Sequence, residues 1–166
     1  ITGVYIYDKA GNYSYYTAAD LKSLGIATSF EIDSLNAVDT TTPVLTSLDF
    51  ASTVDVTTGG KYVTFTAGAT DTGLGVSSVS VIFDQSWQGQ YGNDSSFSAH
   101  DSNDSFSDGV SSSQEYIDST SGAGTYNITG VYIYDKAGNY SYYTAADLKS
   151  LGIATSFEID SLNAVD

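Results

Sequence analysis

The sequence predicts an all-β protein built as a sandwich of packed sheets, and three observations support this prediction. Short runs of alternating apolar and polar residues recur along a chain that is rich in Thr, Ser, Val and Tyr. Glycines separate many of these runs, and there is a single proline. Only one pattern is helical. About six to eight strands joined by turns are typical of two antiparallel sheets that share a core.

Four stretches carry the strand pattern. In the first, Val44, Thr46, Leu48 and Phe50 alternate with Leu45, Ser47 and Asp49, which indicates a half-buried strand. After a Gly-Gly turn, KYVTFTA (61–67) places Val, Phe and Ala on one face, and SVSVIFD (78–84) repeats the pattern after the loop TDTGLG. In TYNITGVYIYD (125–135), Val and Ile share one face while two tyrosines occupy the other.

One short helical turn is predicted near the end of the chain, in TAADLKSLG (144–152). Thr144 can cap the first turn, and Asp147 follows three residues later, as a capping box requires. Leu148 and Leu151 share a face, and Gly152 can supply the left-handed residue that ends a helix. We expect this turn to close one rim of the sandwich.

The segment from Gln85 to Gly124 departs from this pattern because almost all of its residues are small or polar. Short strands are expected around Phe97 and Tyr116, with long loops over most of the remainder. Such loops are often functional or mobile.

The first and last parts of the chain are the same, since residues 1–39 recur letter for letter as residues 128–166. A border is predicted after Asp39, where DTTTPVL (39–45) leads into a strand. Residues 40–166 are then one complete module, and residues 1–39 are the C-terminal remnant of a preceding identical repeat with its linker. Such a long module is expected to hold its own core. The remnant is too short for one and should need a neighbouring surface or stay loosely ordered.

The composition excludes several classes of function. The chain has 20 acidic residues and 5 basic ones, for a formal net charge of -15 at pH 7. A protein this acidic repels nucleic acid and anionic membranes, since both attract basic residues. It contains no cysteine, which excludes disulfides, thiolate zinc sites and a cysteine nucleophile. The only histidine, His100, lies in a serine-rich segment without a nucleophile motif, so we expect no enzyme activity.

The many carboxylates favour binding of a hard cation such as calcium, because calcium prefers several oxygen ligands. If the strands follow the order of an immunoglobulin-like sandwich, then Asp39, Asp71 and Asp135 meet at the N-terminal end of the module. Three converging carboxylates repel one another unless a cation lies between them. Asp33 and the carbonyls of SLNAV (34–38) could add ligands. The other interpretation is that Asp71 and Asp135 only cap tight turns through their own backbone.

Two further groups of residues suggest weaker sites. DSNDSFSDG contains Asp101, Asn103, Asp104 and Asp108 with spacing like that of a calcium loop, but it lacks the glycine and glutamate of an EF-hand. A solvated loop explains it as well. Trp87 and Tyr91 form an aromatic pair that is suited either to stacking on a sugar ring or to covering one end of the sandwich.

Three motifs resemble a known family. The linker D-T-T-x-P, the stretch TDTGLGVSSVSV and the late GTYNITGVYIYDKAGN, with its D-x-A-G-N turn at Asp135–Asn139, are similar to bacterial immunoglobulin-like repeats. They look most like the extender repeats of large Gram-negative adhesins of the repeats-in-toxin type. The resemblance implies β-sandwich modules in long tandem arrays, type I secretion, and calcium at the module junctions. The serine-rich segment departs from the minimal repeat.

These observations predict a non-enzymatic extender module of a giant adhesin anchored in the bacterial outer membrane. Calcium would stiffen the tandem array, which projects a distal binding region for adhesion and biofilm formation. The partners expected are neighbouring identical modules, without nucleic acid, membrane insertion or an obligate oligomer. The alternative is a glycan-binding or surface-binding module that uses exposed aromatic residues. Identical copies favour the extender, because a spacer works through length and stiffness.

Overall fold

The computed structural model describes residues 1–32, 38–101, 106 and 109–164 of the 166-residue chain. The chain divides into two compact units, which we call the N-terminal unit (Ile1–Ala37) and the C-terminal unit (Val38–Asp166). This division lies close to the border that the sequence predicts after Asp39. No helix in the described ranges is long and apolar enough to cross a membrane.

The described residues form mostly β-strands with two short helices, so the fold is all-β. In chain order the elements are β1 (Gly3–Tyr7), β2 (Tyr13–Thr17), α1 (Ala18–Ser23), β3 (Val44–Asp49), β4 (Thr53–Asp55), β5 (Lys61–Thr70), β6 (Val76–Gly89), β7 (Gly92–His100), β8 (Val110–Ile117), β9 (Gly122–Asp135), β10 (Tyr140–Thr144), α2 (Ala145–Ser150), β11 (Ser156–Asp160) and β12 (Asn163–Ala164).

The C-terminal unit contains two sheets around one core. The larger sheet has the order β4-β11-β9-β6-β7, and β10 and β12 also pair with β9. The smaller sheet has the order β3-β5-β8. Their inner faces share one cluster of buried residues, in which Phe65 of β5 lies 5.7 Å from Phe97 of β7 between ring centroids. Two sheets facing a common core are consistent with a β-sandwich.

The N-terminal unit consists of the antiparallel hairpin β1–β2, followed directly by α1. Gly3 pairs with Thr17 at the open end of the hairpin, and Tyr7 pairs with Tyr13 at its turn. Leu21 of α1 is buried, whereas several other large apolar side chains of this unit are exposed.

The predicted strand at 44–50 forms, but its phase is different from the simple alternation. A register shift between Leu45 and Ser47 marks a β-bulge in the pairing with β5. A bulge inserts one extra residue into a strand, and the side chains that follow it change face. The alternation predicts Val44 and Leu48 on one face. Because of the bulge, Leu45 takes the place of Val44 on the inner face, so Leu45 is buried and Val44 is exposed.

The prediction of long loops between Gln85 and Gly124 is wrong for the described residues. Strand β6 continues to Gly89, β7 returns from Gly92, and β8 covers Val110–Ile117. Serine-rich strands form here because their hydroxyls can bond across the sheet, as in the pairs Ser80–Ser98 (3.1 Å) and Thr66–Ser112 (2.9 Å).

The helix prediction is confirmed. Helix α2 has Thr144 as its N-cap, and Thr144 and Asp147 form the complete capping box. Gly152 follows with a positive φ of 72°. Leu148 is fully buried, but Leu151 is exposed, so only one of the two leucines anchors the helix to the core.

Candidate metal centre

Three aspartates from distant parts of the C-terminal unit meet at one end of β5. Asp71 follows β5, Asp135 ends β9, and Asp39 precedes β3. One carboxylate oxygen from each lies within 4.8 Å of the others. The structure therefore brings together the three described residues of the predicted metal set.

Asp39 is held by its own turn and by the loop after β5. Its Oδ1 accepts hydrogen bonds from the N–H (3.0 Å) and the hydroxyl (2.6 Å) of Thr41, while its Oδ2 accepts one from Leu74 N–H (2.7 Å). The Thr41 hydroxyl and the Leu74 N–H lower the pKa of Asp39. A Cβ atom on Gly73 would overlap the Asp39 carboxylate, so any larger residue at position 73 would have to displace that carboxylate.

Asp71 caps the loop that follows it. Its Oδ2 accepts the N–H groups of Gly73 (2.8 Å) and Gly75 (3.0 Å). Its Oδ1 accepts the Thr41 hydroxyl at 3.1 Å. Thr41 thus bridges the carboxylates of Asp39 and Asp71, a role that sequence reasoning missed because the two aspartates are far apart in the chain.

Asp135 is the buried member of the group, with only 3% of its surface exposed. Its Oδ1 accepts the N–H groups of Ala137 and Asn139, both at 2.8 Å. The Asn139 side chain donates to Asp135 Oδ2 (2.7 Å) and to the backbone carbonyl of Asp39 (3.2 Å). Asn139 therefore ties the D-x-A-G-N turn to the segment before β3.

The geometry agrees with both interpretations of these aspartates. Asp71 and Asp135 do cap their turns through the backbone, as the simpler interpretation states. Capping alone leaves three carboxylates in one place, where their charges repel one another. Oxygens that ligate one calcium ion at 2.3–2.6 Å lie at most about 5 Å apart, and the spacing of the three carboxylates falls within that limit.

Most of the other residues predicted for cation binding are not described by the structure. Asp33, Asn103, Asp104 and Asp108 lie outside the described residues, so the predictions on them stay predictions. Asp101 forms an ion pair with Lys136 (Oδ2–Nζ 2.7 Å) and accepts the Phe106 N–H at 3.3 Å. The exposed His100 ends β7.

The aromatic pair of the alternative prediction is not an exposed pair. Trp87 is only 2% exposed and belongs to the core, where its ring contacts Phe83, Phe97 and Phe157. Tyr91, by contrast, is 95% exposed. Strand β6 is longer than predicted, and its alternation places Trp87 on the inner face. Trp87 therefore cannot stack on a ligand.

Comparison with protein-family models and with curated proteins finds no match for this chain.

Proposed function

We propose that the chain is part of a non-enzymatic extender of a large bacterial surface adhesin. The observation that carries the proposal is the convergence of Asp39, from the segment that leads into the module, with Asp71 and Asp135 of the module body. The repetition of residues 1–39 as 128–166 supports a spacer, because a spacer needs no difference between copies. The extender is secreted, acts at the cell surface and has neighbouring identical modules as its partners.

The proposal includes an immunoglobulin-like topology for the module. We assign β3-β5-β8 to strands A-B-E of that fold and the facing order β11-β9-β6 to strands G-F-C. Two other features support this assignment. Trp87 is a buried tryptophan on the strand equivalent to C, and the Tyr126 hydroxyl donates to the Gly122 carbonyl (2.9 Å) near the start of the strand equivalent to F.

Calcium is the ion that the donor set fits best. All three side chains offer carboxylate oxygens, which hard cations prefer, and calcium tolerates irregular shells of 6–8 oxygens. Magnesium demands a tighter octahedral shell and releases its waters reluctantly, so it should substitute poorly. A cation that binds only the folded module stabilises it by about 2.7 kcal/mol at a free concentration one hundred times its dissociation constant.

The test is thermal unfolding in calcium, in magnesium and in chelator. We expect calcium to raise the melting temperature more than magnesium, and Asp39→Asn to remove most of that rise. Asp55→Asn is the matched control. Asp55 caps a turn with the same two bonds from Thr57 (2.9 Å from N–H, 2.6 Å from the hydroxyl), but it lies outside the group of three. If the chelator does not change the melting temperature of the chain without substitutions, the metal assignment is wrong.

Stiffening needs a separate measurement on a protein of two tandem modules. We expect small-angle scattering to report a longer particle in calcium than in chelator, and the difference to shrink in the Asp39→Asn variant. Equal particle dimensions in both conditions would remove the stiffening role, even if calcium binds.

A further inference from the structure

A concave site lies at the other end of β5 from the three aspartates. Its cavity of about 280 Å³ is lined chiefly by Tyr62, Tyr91, Tyr116, Asp94, Gln114 and Glu115. Tyr62 and Asp71 stand at opposite ends of β5, so the two sites are roughly 30 Å apart at the rise of an extended strand. All lining residues belong to the C-terminal unit.

Two local structures present the aromatic rings. Tyr91 lies in the two-residue turn of the β6–β7 hairpin, which Gly89 and Gly92 close as a pair. Its ring is almost wholly exposed. Tyr62 and Tyr116 are direct partners on β5 and β8, and their ring centroids are 5.0 Å apart. Tyr91 so placed offers an apolar face and a polar hydroxyl to a ligand in the cavity, whereas the Tyr62 hydroxyl already donates to Gln90 Oε1.

Two carboxylates supply hydrogen-bond acceptors. Glu115 is half-buried, and its Oε1 accepts weak bonds from Ser98 N–H (3.3 Å) and the Ser113 hydroxyl (3.4 Å). The Oδ1 of Asp94 accepts hydrogen bonds from the N–H groups of Ser95 (2.8 Å) and Ser96 (3.2 Å). Within the described part of the chain, Glu115 Oε2 and Asp94 Oδ2 have no hydrogen-bond donor. Burial, together with the charge of Asp94, raises the pKa of Glu115, whose ionised form therefore gains from a donor.

Side-chain amides supply donors to the same cavity. The Oδ1 of Asn93 is taken by Gln88 Nε2, and the Oε1 of Gln90 lies 3.4 Å from the Tyr62 hydroxyl. Their NH₂ groups, and the amide of Gln114, are thus donors beside the two carboxylate acceptors. Among the residues that the structure describes, no lysine, arginine or histidine lines the cavity.

These features select the chemical class of the ligand. Anionic ligands are repelled by the two carboxylates, since the described lining of the cavity contains no basic residue. A simple cation would use the acceptors and the tyrosine faces but would leave the amide donors unpaired. A sugar ring offers hydroxyls that both donate and accept, and C–H faces that pack on aromatic rings. We propose that this cavity binds a neutral saccharide, with Tyr91 stacking on the sugar and with Asp94 and Glu115 accepting its hydroxyls.

The test is an NMR titration of the full chain with the methyl glycosides of glucose, galactose, mannose and N-acetylglucosamine, and with cellobiose and lactose. We expect one or more of them to shift amide resonances in residues 89–94 and 114–116. Tyr91→Ala and Glu115→Gln should each weaken that binding about tenfold, a loss typical of one stacking contact or one charged hydrogen bond. Tyr140→Ala is the matched control, since Tyr140 is exposed on β10 and lies outside the cavity.

Three outcomes would overturn the proposal. In the first, none of these sugars shifts the named resonances at millimolar concentration. In the second, Tyr140→Ala weakens binding as much as Tyr91→Ala, which places the sugar elsewhere. In the third, trilysine shifts the same residues more strongly than any sugar, which makes the cavity a site for cations. The proposal does not depend on the extender function, whose test concerns Asp39 at the far end of β5.

Discussion

The N-terminal unit and the last part of the C-terminal unit contain the same residues in different surroundings. Phe30 is 82% exposed, whereas its counterpart Phe157 is 1% exposed. Ile32 is 77% exposed, whereas Ile159 is 1% exposed. These residues bury their side chains only where the remainder of a module covers them. The difference shows that apolar sequence alone does not make a core.

Other features are the same in both copies. The hairpins β1–β2 and β9–β10 have equivalent registers, with Tyr5 opposite Tyr15 and Tyr132 opposite Tyr142. Asp8 accepts the N–H groups of Ala10 (2.8 Å) and Asn12 (2.9 Å), as Asp135 does from Ala137 and Asn139. Both helices begin with a complete capping box. These features depend on residues that are close in sequence.

The two copies of the repeated segment differ at strand β11. In the C-terminal unit it pairs antiparallel with Gly124–Asn127 of β9 and parallel with Thr53–Asp55 of β4. The described residues 29–32, which match its start, form no strand. The pairing partners of β11, Gly124–Asn127 and Thr53–Asp55, lie outside the repeated segment. A strand needs a neighbour for its backbone hydrogen bonds, so the same residues stay without regular structure in the N-terminal unit.

The largest expected difference between the copies concerns their aromatic side chains. Phe157→Ala should lower the free energy of unfolding by about 3–5 kcal/mol, because it leaves a cavity in the core. Phe30→Ala should change it by less than about 0.5 kcal/mol, because an exposed side chain loses few contacts. Urea unfolding followed by the fluorescence of Trp87, the only tryptophan, measures both. Equal effects would mean that the two copies share one environment.

The second difference concerns the turn aspartates. Asp135→Ala removes three hydrogen bonds from a buried carboxylate and should destabilise the C-terminal unit by about 1–3 kcal/mol. It should also abolish the stabilisation by calcium, which Asp8→Ala should leave intact. Melting temperatures of both variants with and without calcium test this. Calcium stabilisation that survives Asp135→Ala would contradict the proposed site.

A smaller difference is expected at the helix caps. Thr144→Ala should cost about 1 kcal/mol, because an N-cap hydroxyl satisfies a backbone N–H of the first turn. The loss should shift the urea midpoint of the C-terminal unit, since Leu148 anchors α2 in its core. Thr17→Ala should increase amide hydrogen exchange in α1 and leave that midpoint unchanged. A shifted midpoint in Thr17→Ala would show that the units are coupled.

The smallest difference is expected in the titration of the capping carboxylates. Hydrogen bonds from Thr17 and Thr144 lower the pKa of Asp20 and Asp147, respectively, below the ordinary value of 3.8. Because the pKa is lower in the folded state, the capping contribution is complete above about pH 3.8 and is lost as the pH falls through the folded-state pKa. NMR titration should give nearly the same pKa for both residues. Clearly different values would show that tertiary surroundings affect the cap.

Much of the fold was predictable because its signals are local. Alternation identified the strands around Phe65, Val81 and Ile133, and the spacing of Thr144 and Asp147 identified the helix. The strands predicted around Phe97 and Tyr116 do form, as β7 and β8, but their length was underestimated, since a strand of small polar residues has no strong pattern of its own. The bulge in β3 was missed, because it arises from pairing with β5.

The sequence by itself determined the elements whose partners lie within a few residues: the hairpin turn at Asp8 and Asp135, and the capped helices that follow in both copies. Their hydrogen bonds form wherever this stretch occurs. Only the tertiary structure decided which apolar side chains are buried, whether β11 exists, and that Asp39, Asp71 and Asp135 meet. Each of those outcomes requires contacts between groups that are far apart in the chain. The repeated segment contains only some of these groups, so it cannot produce the contacts by itself.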